Sequence, residues 1–323
     1  MPITGSQLEK LSEYYGVTPK PADFEEFWNL RIKEAYQKPL NYHLSQSEIP
    51  STPTCEFFDL WFEGIDGGQM YGKYIRPRSA EPLPIVLQFH GYPGATRGWF
   101  EYASFAGMGY AHLSMDCPGQ GGRSEDKGGY KGTTVSGHII AGIDGDPKNM
   151  YYVKTFQNTC LLTRIATELQ GIDPNRIYVN GASQGGGLGI VCAALNNQTI
   201  KKAAILYPFL SDYQRVWELD ADTIAYEGLR YYTRWFNPMG DHNTQMFTKL
   251  GYIDVHHFAP RIRASVLFGT GLRDEICPLE TQYAVYNNLQ CPKKHVLFPD
   301  FGHEEIQAFD DLLFDFFAEG GAL

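Results

Sequence analysis

Three short segments carry side chains able to do chemistry together. The first is Gly181-Ala182-Ser183-Gln184-Gly185, a Gly-x-Ser-x-Gly motif. It follows the apolar run Arg176-Ile177-Tyr178-Val179 and precedes a small-residue stretch, Leu188 to Leu195. A strand, a sharp turn and a helix in that order make a nucleophile elbow, in which strain lifts a serine hydroxyl above the edge of a sheet. Gly181 and Gly185 flank the serine because a side chain at either would collide where strand and helix cross. The N-terminus of the following helix aims its partial positive charge at the reacting atom.

A serine hydroxyl is a weak nucleophile at neutral pH and needs a base, which in turn needs an orienting acid. In elbow-type enzymes these follow the serine in the order acid, then histidine. Gly269-Thr270-Gly271-Leu272-Arg273-Asp274 ends an apolar run on an acid, with Pro278 four residues on. That placement favours Asp274 over its neighbour Glu275. Pro299-Asp300-Phe301-Gly302-His303 follows the last apolar run, and of nine histidines only His303 lies beyond it. The order Ser183, Asp274, His303 therefore suits acyl transfer. Two backbone N–H groups must also face the developing oxyanion. One is expected from Gln184, directly after the serine. The other is expected from Tyr92, in His90-Gly91-Tyr92-Pro93-Gly94.

These residues need a scaffold that brings distant segments together. Short apolar runs at 85–90, 110–116, 176–179, 202–207, 264–269 and 294–298 alternate with helical stretches, including 100–107 and 304–318. Continuous apolar runs of this kind indicate a parallel sheet buried on both faces. Ahead of it, Phe57–Phe62 and Met70–Ile75 read as a hairpin turning at Asp66-Gly67-Gly68. Residues 1–54 read as a helical extension, with helix signals over 7–38. About fifty residues, 210–260, read as a helical insertion over the carboxyl end of the sheet. Its aromatics Trp217, Tyr226, Tyr231 and Trp235 either shape an acyl pocket or pack in the core. One α/β domain spanning 1–323 accommodates all of this.

Composition narrows the function classes. A net charge of −10 argues against nucleic-acid and anionic-membrane partners. No apolar run has the length of a membrane span, and Met1-Pro2-Ile3-Thr4-Gly5-Ser6 lacks signal-peptide features, so a cytoplasmic location is expected. The six cysteines are scattered without a Cys-x-x-Cys pair and read as free thiols, with no zinc site.

In Asp116-Cys117-Pro118-Gly119-Gln120-Gly121-Gly122, the elbow and His303-Glu304 together, the chain resembles the acetyl xylan esterase/cephalosporin C deacetylase family of α/β-hydrolases. The resemblance covers nearly the whole chain. It implies hydrolysis of acetyl esters on xylooligosaccharides and cephalosporins, without metal or organic cofactor, by a homohexamer built as a trimer of dimers. It also implies supporting roles for Gln120 and Gly119 beside the site. One position departs: the family carries Arg-Gly-Gln where this chain has Pro118-Gly119-Gln120. Proline cannot replace the arginine's hydrogen bonds. Either the loop is held by other means or the site is looser.

Other readings are a general small-acyl carboxylesterase, or a weakly active or non-catalytic hydrolase-fold protein if Pro118 disables the site. A peptidase of this fold normally brings a propeller domain, for which 323 residues leave no room. A lipase would call for a long apolar lid, which the sequence does not offer.

Overall fold

The computed structural model describes residues 4–135 and 137–318. Its sheet contains β1 (Tyr42–Gln46), β2 (Cys55–Glu63), β3 (Gln69–Pro77), β4 (Leu83–Phe89), β5 (Ala111–Met115), β6 (Ile172–Ala182), β7 (Ile200–Leu206), β8 (Ser265–Gly271) and β9 (Lys293–Phe298). Across the sheet the order is β1-β2-β3-β5-β4-β6-β7-β8-β9. Strands β1 to β3 pair antiparallel, β3 joins β5 antiparallel, and the pairs from β5 to β9 are parallel. The sheet is mostly parallel, as the alternation of apolar runs indicates, and agrees with the α/β-hydrolase fold that the resemblance implies.

The continuous apolar strands have a direct cause. Ile85, Leu87, Val179, Ala203 and Ile205 face one core, whereas Val86, Tyr178, Ala204 and Leu206 face another. Adjacent residues point to opposite faces and both faces are covered, so no polar alternation survives.

The helices are α1 (Gly5–Ser12), α2 (Phe24–Gln37), α3 (Trp99–Gly107), α4 (Tyr151–Glu168), α5 (Gln184–Leu195), α6 (Tyr213–Glu218), α7 (Glu227–Phe236), α8 (Asn243–Leu250), α9 (Leu279–Asn288) and α10 (Gln307–Phe317). Sequence periodicity misses α4. Its Thr155, Gln157, Asn158, Thr159 and Thr163 are buried along with its apolar residues, so it shows no polar face. The expected insertion at 210–260 is helical, as α6, α7, α8 and short 3-10 turns. The reading of 1–54 as wholly helical needs correction: Tyr42–Gln46 is an edge strand paired with β2. That strand is short and half-exposed, which leaves little apolar pattern to read.

The N-terminal arm is built into the core. On α2, Trp28 is fully buried, its ring lies 5.9 Å from Phe156 of α4 and 4.9 Å from Phe258, and its indole donates to the Tyr252 carbonyl at 2.9 Å. Upstream, the Asp212 carboxylate accepts from the Val17 and Thr18 N–H groups, the Thr18 hydroxyl and the Tyr14 hydroxyl. No helix among the described residues is long and apolar enough to cross a membrane.

Replacing Trp28 by alanine is expected to lower the unfolding free energy by about 3–5 kcal/mol, the usual cost of emptying so large a buried site. Chemical denaturation measures this, and a loss below about 1 kcal/mol would mean that the arm is an appendage.

Candidate active site

Every segment that carries a predicted site residue reaches the carboxyl end of the parallel strands. Ser183 joins β6 to α5, the His90–Gly94 loop follows β4, Asp274 follows β8, and His303 lies between β9 and α10. Ligands of open α/β sheets bind at this end, where short loops from neighbouring strands converge.

The serine turn is strained as the motif demands. Ser183 has φ 56° and ψ −124°, a backbone conformation unusual for a residue with a side chain. Close backbone approach enforces it. A Cβ on Gly181 would lie 2.1 Å from the Gly185 carbonyl oxygen, and one on Gly185 would lie 2.1 Å from the Phe89 carbonyl oxygen. Ser183 N–H donates to the Leu206 carbonyl at 3.1 Å, and its own carbonyl accepts from Gly187 and Phe209 at 3.0 Å each.

His303 bridges serine and acid. Its Nε2 lies 2.9 Å from Ser183 Oγ and its Nδ1 lies 2.9 Å from Asp274 Oδ2. The Asp274 side chain is fully buried, and all its partners donate. Oδ1 accepts from the Ile276 and Cys277 N–H groups at 2.9 and 2.8 Å, and Oδ2 also accepts from Gln282 Nε2 at 3.2 Å. A carboxylate ringed by donors holds the His303 proton on Nδ1 and leaves Nε2 to accept from the serine hydroxyl. Glu275 is exposed, so the choice between the adjacent acids falls to Asp274. Asp274, Cys277 and His303 have metal-ligand spacing. Both imidazole nitrogens and both carboxylate oxygens are already bonded, however, and burial pushes the Cys277 thiol well above its ordinary pKa, so it stays a neutral, poor ligand.

The two segments expected to supply the oxyanion donors, Gln184 and the loop after β4, both lie beside Ser183. As the first residue of α5, Gln184 has one of the N–H groups that a helix leaves without an internal partner. A Cβ on Gly91 would sit 4.0 Å from Ser183 Cβ, which places the β4 loop beside the serine. His90, to which no sequence motif assigns a role, fixes that loop. Burial lowers its pKa and keeps it neutral. Its Nε2 accepts from Cys117 N–H at 2.9 Å, so Nδ1 carries the proton and donates to the Gly91 carbonyl at 2.7 Å. That carbonyl shares a planar peptide with the Tyr92 N–H, so holding one sets the direction of the other.

The structure also answers how a loop with Pro118 is secured. Tyr151 Oη donates to the Pro118 carbonyl at 2.7 Å and accepts from Gln120 Nε2 at 3.0 Å. Gln120 and Gln184 exchange two amide bonds of 2.9 Å, and Tyr152 Oη donates to Gln184 Oε1 at 2.7 Å. Gly119, at φ +66°, makes the turn between them, with its N–H donating to the Ser124 carbonyl at 3.3 Å. The loop, which has no arginine side chain at Pro118, is thus held by Tyr151 on the Pro118 carbonyl and by Gln120 on Gln184, which Tyr152 in turn secures. Tyr151 and Tyr152 lie on α4, the helix without a sequence pattern, so their part could not be read beforehand.

The aromatics of the insertion divide. Tyr226 is fully buried, its ring 4.4 Å from Phe209. Phe209 in turn lies 6.0 Å from Tyr92, so Tyr226 backs the wall behind the loop. Trp217 and Tyr231 pack against the core, whereas Trp235 is exposed.

Gln120→Leu is expected to cost about 1–3 kcal/mol, because it removes both amide bonds to the buried Gln184, leaving it the Tyr152 hydroxyl and a longer contact to the His90 carbonyl. Pro118→Ala should cost less than about 1 kcal/mol, since the contact is made by the backbone. Denaturation of both variants checks this, and a larger loss for Pro118→Ala would show that the ring itself holds the loop.

The acetyl xylan esterase (AXE1) family model matches residues 1–319. The crystal structure of acetyl xylan esterase 1 from Thermoanaerobacterium sp. JW/SL YS485 is 40% identical, with a TM-score of 0.94 over 98% of both chains. The acetyl xylan esterase from Paenibacillus sp. R4 is 30% identical, with a TM-score of 0.91 over 96% of this chain and 98% of that one. The acetyl esterase Axe7A of Xylanibacter ruminicola is 27% identical over 301 residues, which are 91% of this chain, and the chain spans 65% of that protein's length. By motif, geometry and overall similarity, the chain belongs to the acetyl xylan esterase family.

Proposed function

We propose that the protein is a serine esterase that removes acetyl groups from acetylated xylooligosaccharides, and the acetyl ester of cephalosporins, through an acetyl-enzyme. The observation that carries this reading is the unbroken relay from Asp274 through His303 to Ser183, with both contacts at 2.9 Å, on a strained turn. Similarity to acetyl xylan esterases along nearly the full chain supports the acetyl ester as substrate.

The geometry supports a two-step acyl transfer. Ser183 Oγ attacks the acetyl carbonyl as His303 Nε2 takes its proton. The oxyanion is stabilised by the N–H groups of Tyr92 and Gln184. Asp274 holds the imidazole tautomer and stabilises the imidazolium. His303 returns the proton to the departing sugar alcohol, and water then hydrolyses the acetyl-enzyme by the same path. No step calls for a metal or an organic cofactor. The homohexamer belongs to the same proposal. The exposed apolar side chains Trp235, Phe236 and Met239, on and just after α7, suit contact between copies of the chain.

The wild type should hydrolyse p-nitrophenyl acetate far faster than the butyrate or octanoate ester and should release acetate from acetylated xylooligosaccharides, and Ser183→Ala should abolish both activities. A preference for octanoate would overturn the acetyl reading while leaving the triad standing. Asp274→Asn should reduce kcat by about three to four orders of magnitude with KM little changed, because the histidine then sits in the wrong tautomer. A loss below roughly tenfold would remove Asp274 from its role.

A further inference from the structure

Tyr207 is the residue after β7, and nothing in the motif pattern assigns it a role. Its backbone is held at φ 30°, inside the left-handed region, although it is not glycine. Such strain persists only where the surroundings enforce it, and it gathers at functional sites. Here Tyr207 N–H donates to the Gly269 carbonyl of β8 at 2.9 Å, which turns the side chain towards the loop after β9. There the phenol ring lies 4.5 Å from the His303 imidazole, with the planes inclined at 47°. Its hydroxyl donates to the Glu304 carbonyl at 2.7 Å. Only 5% of Tyr207 is exposed, and burial pushes its phenol well above the ordinary value, so it remains a donor.

The remaining neighbours of His303 are accounted for. Asp274 and Cys277 approach from the β8–α9 loop and Ser183 from the turn. On its own loop, Glu304 accepts from Gly302 N–H at 3.0 Å, and Glu305 is ion-paired to Arg97. Among the described residues, Tyr207 is the one aromatic ring in contact with the imidazole, at a tilted angle.

We propose that Tyr207 is a positioning residue for His303, with its ring supporting the imidazolium that forms as Ser183 loses its proton and its hydroxyl anchoring the backbone beside it. This rests on the serine-esterase reading above. The ring interaction grows when the imidazole becomes charged, because a π-face attracts a cation more than a neutral ring. It therefore acts on the barrier rather than on substrate binding.

Tyr207→Phe and Tyr207→Leu separate the two parts. Two rates are read: kcat and KM on p-nitrophenyl acetate, and the second-order rate at which a fluorophosphonate labels Ser183. Labelling needs the activated serine but no acetyl ester, so it tests Tyr207 even if the substrate reading fails. Tyr207→Phe should lower both rates roughly fivefold through the lost hydrogen bond. Tyr207→Leu should lower them about 30-fold or more, with KM within about threefold of wild type. Equal losses in the two variants would overturn the role of the ring. So would a Tyr207→Leu effect confined to KM, which would place the ring in substrate binding, or to the fraction of protein that labels, which misfolding explains. A wild type that does not label at all would overturn the nucleophile reading and this proposal together.

Discussion

The site depends on one crowded crossing, where the start of α5 passes β6 and the end of β4 at backbone contact distance. Ser183 sits at that crossing with φ 56°, and the space a Cβ would need at Gly181 and Gly185 is taken by carbonyl oxygens. No ordinary turn could place α5 so close, and no wider turn would keep its first N–H beside the serine hydroxyl. The strain is held by the sheet around it, because Ser183 is tied to Leu206 on one side and to Phe209 on the other. Those bonds connect the turn to β7 and to the segment that follows.

The same crossing explains the buried polar network behind the serine. Once α5 is pressed against the loops after β4 and β5, the Gln184 side chain is enclosed and must find partners or lose stability. It finds them in Gln120 and Tyr152, and its amide also reaches the His90 carbonyl at 3.3 Å. Through Tyr151 the network extends to the Pro118 carbonyl. Loops from two strands and the helix that follows Ser183 are thereby locked as one unit. Preorganisation of this kind is what the proposed oxyanion hole requires, since its two N–H groups would then act without rearranging during reaction.

The parts of this arrangement that were legible in the sequence are those with local rules. Gly181, Ser183 and Gly185 announce a backbone geometry, and the apolar strands announce a sheet covered on both faces. Asp274 and His303 follow from the order in which such folds place their partners. What escaped was non-local or masked by burial. Helix α4 hides its period because its polar residues are enclosed, and with it went Tyr151 and Tyr152. Edge strand β1 is too short to outweigh the helical signals before it. His90 lies in a recognised loop but its role, and that of Tyr207, depends on contacts from other segments: Cys117 for His90, and Gly269 and Glu304 for Tyr207. The ambiguity over Pro118 had the same origin, since the contact that secures it is made by its carbonyl.

The central claim is that Ser183 becomes acylated, and it is tested most directly by trapping that species. The enzyme would be mixed with excess p-nitrophenyl acetate, quenched in acid within the first turnovers, digested and examined by mass spectrometry. The account predicts one added acetyl group on the peptide bearing Ser183, absent from His303→Ala treated identically. Turnover with no acetyl on that peptide, or with acetyl on another side chain, would contradict it.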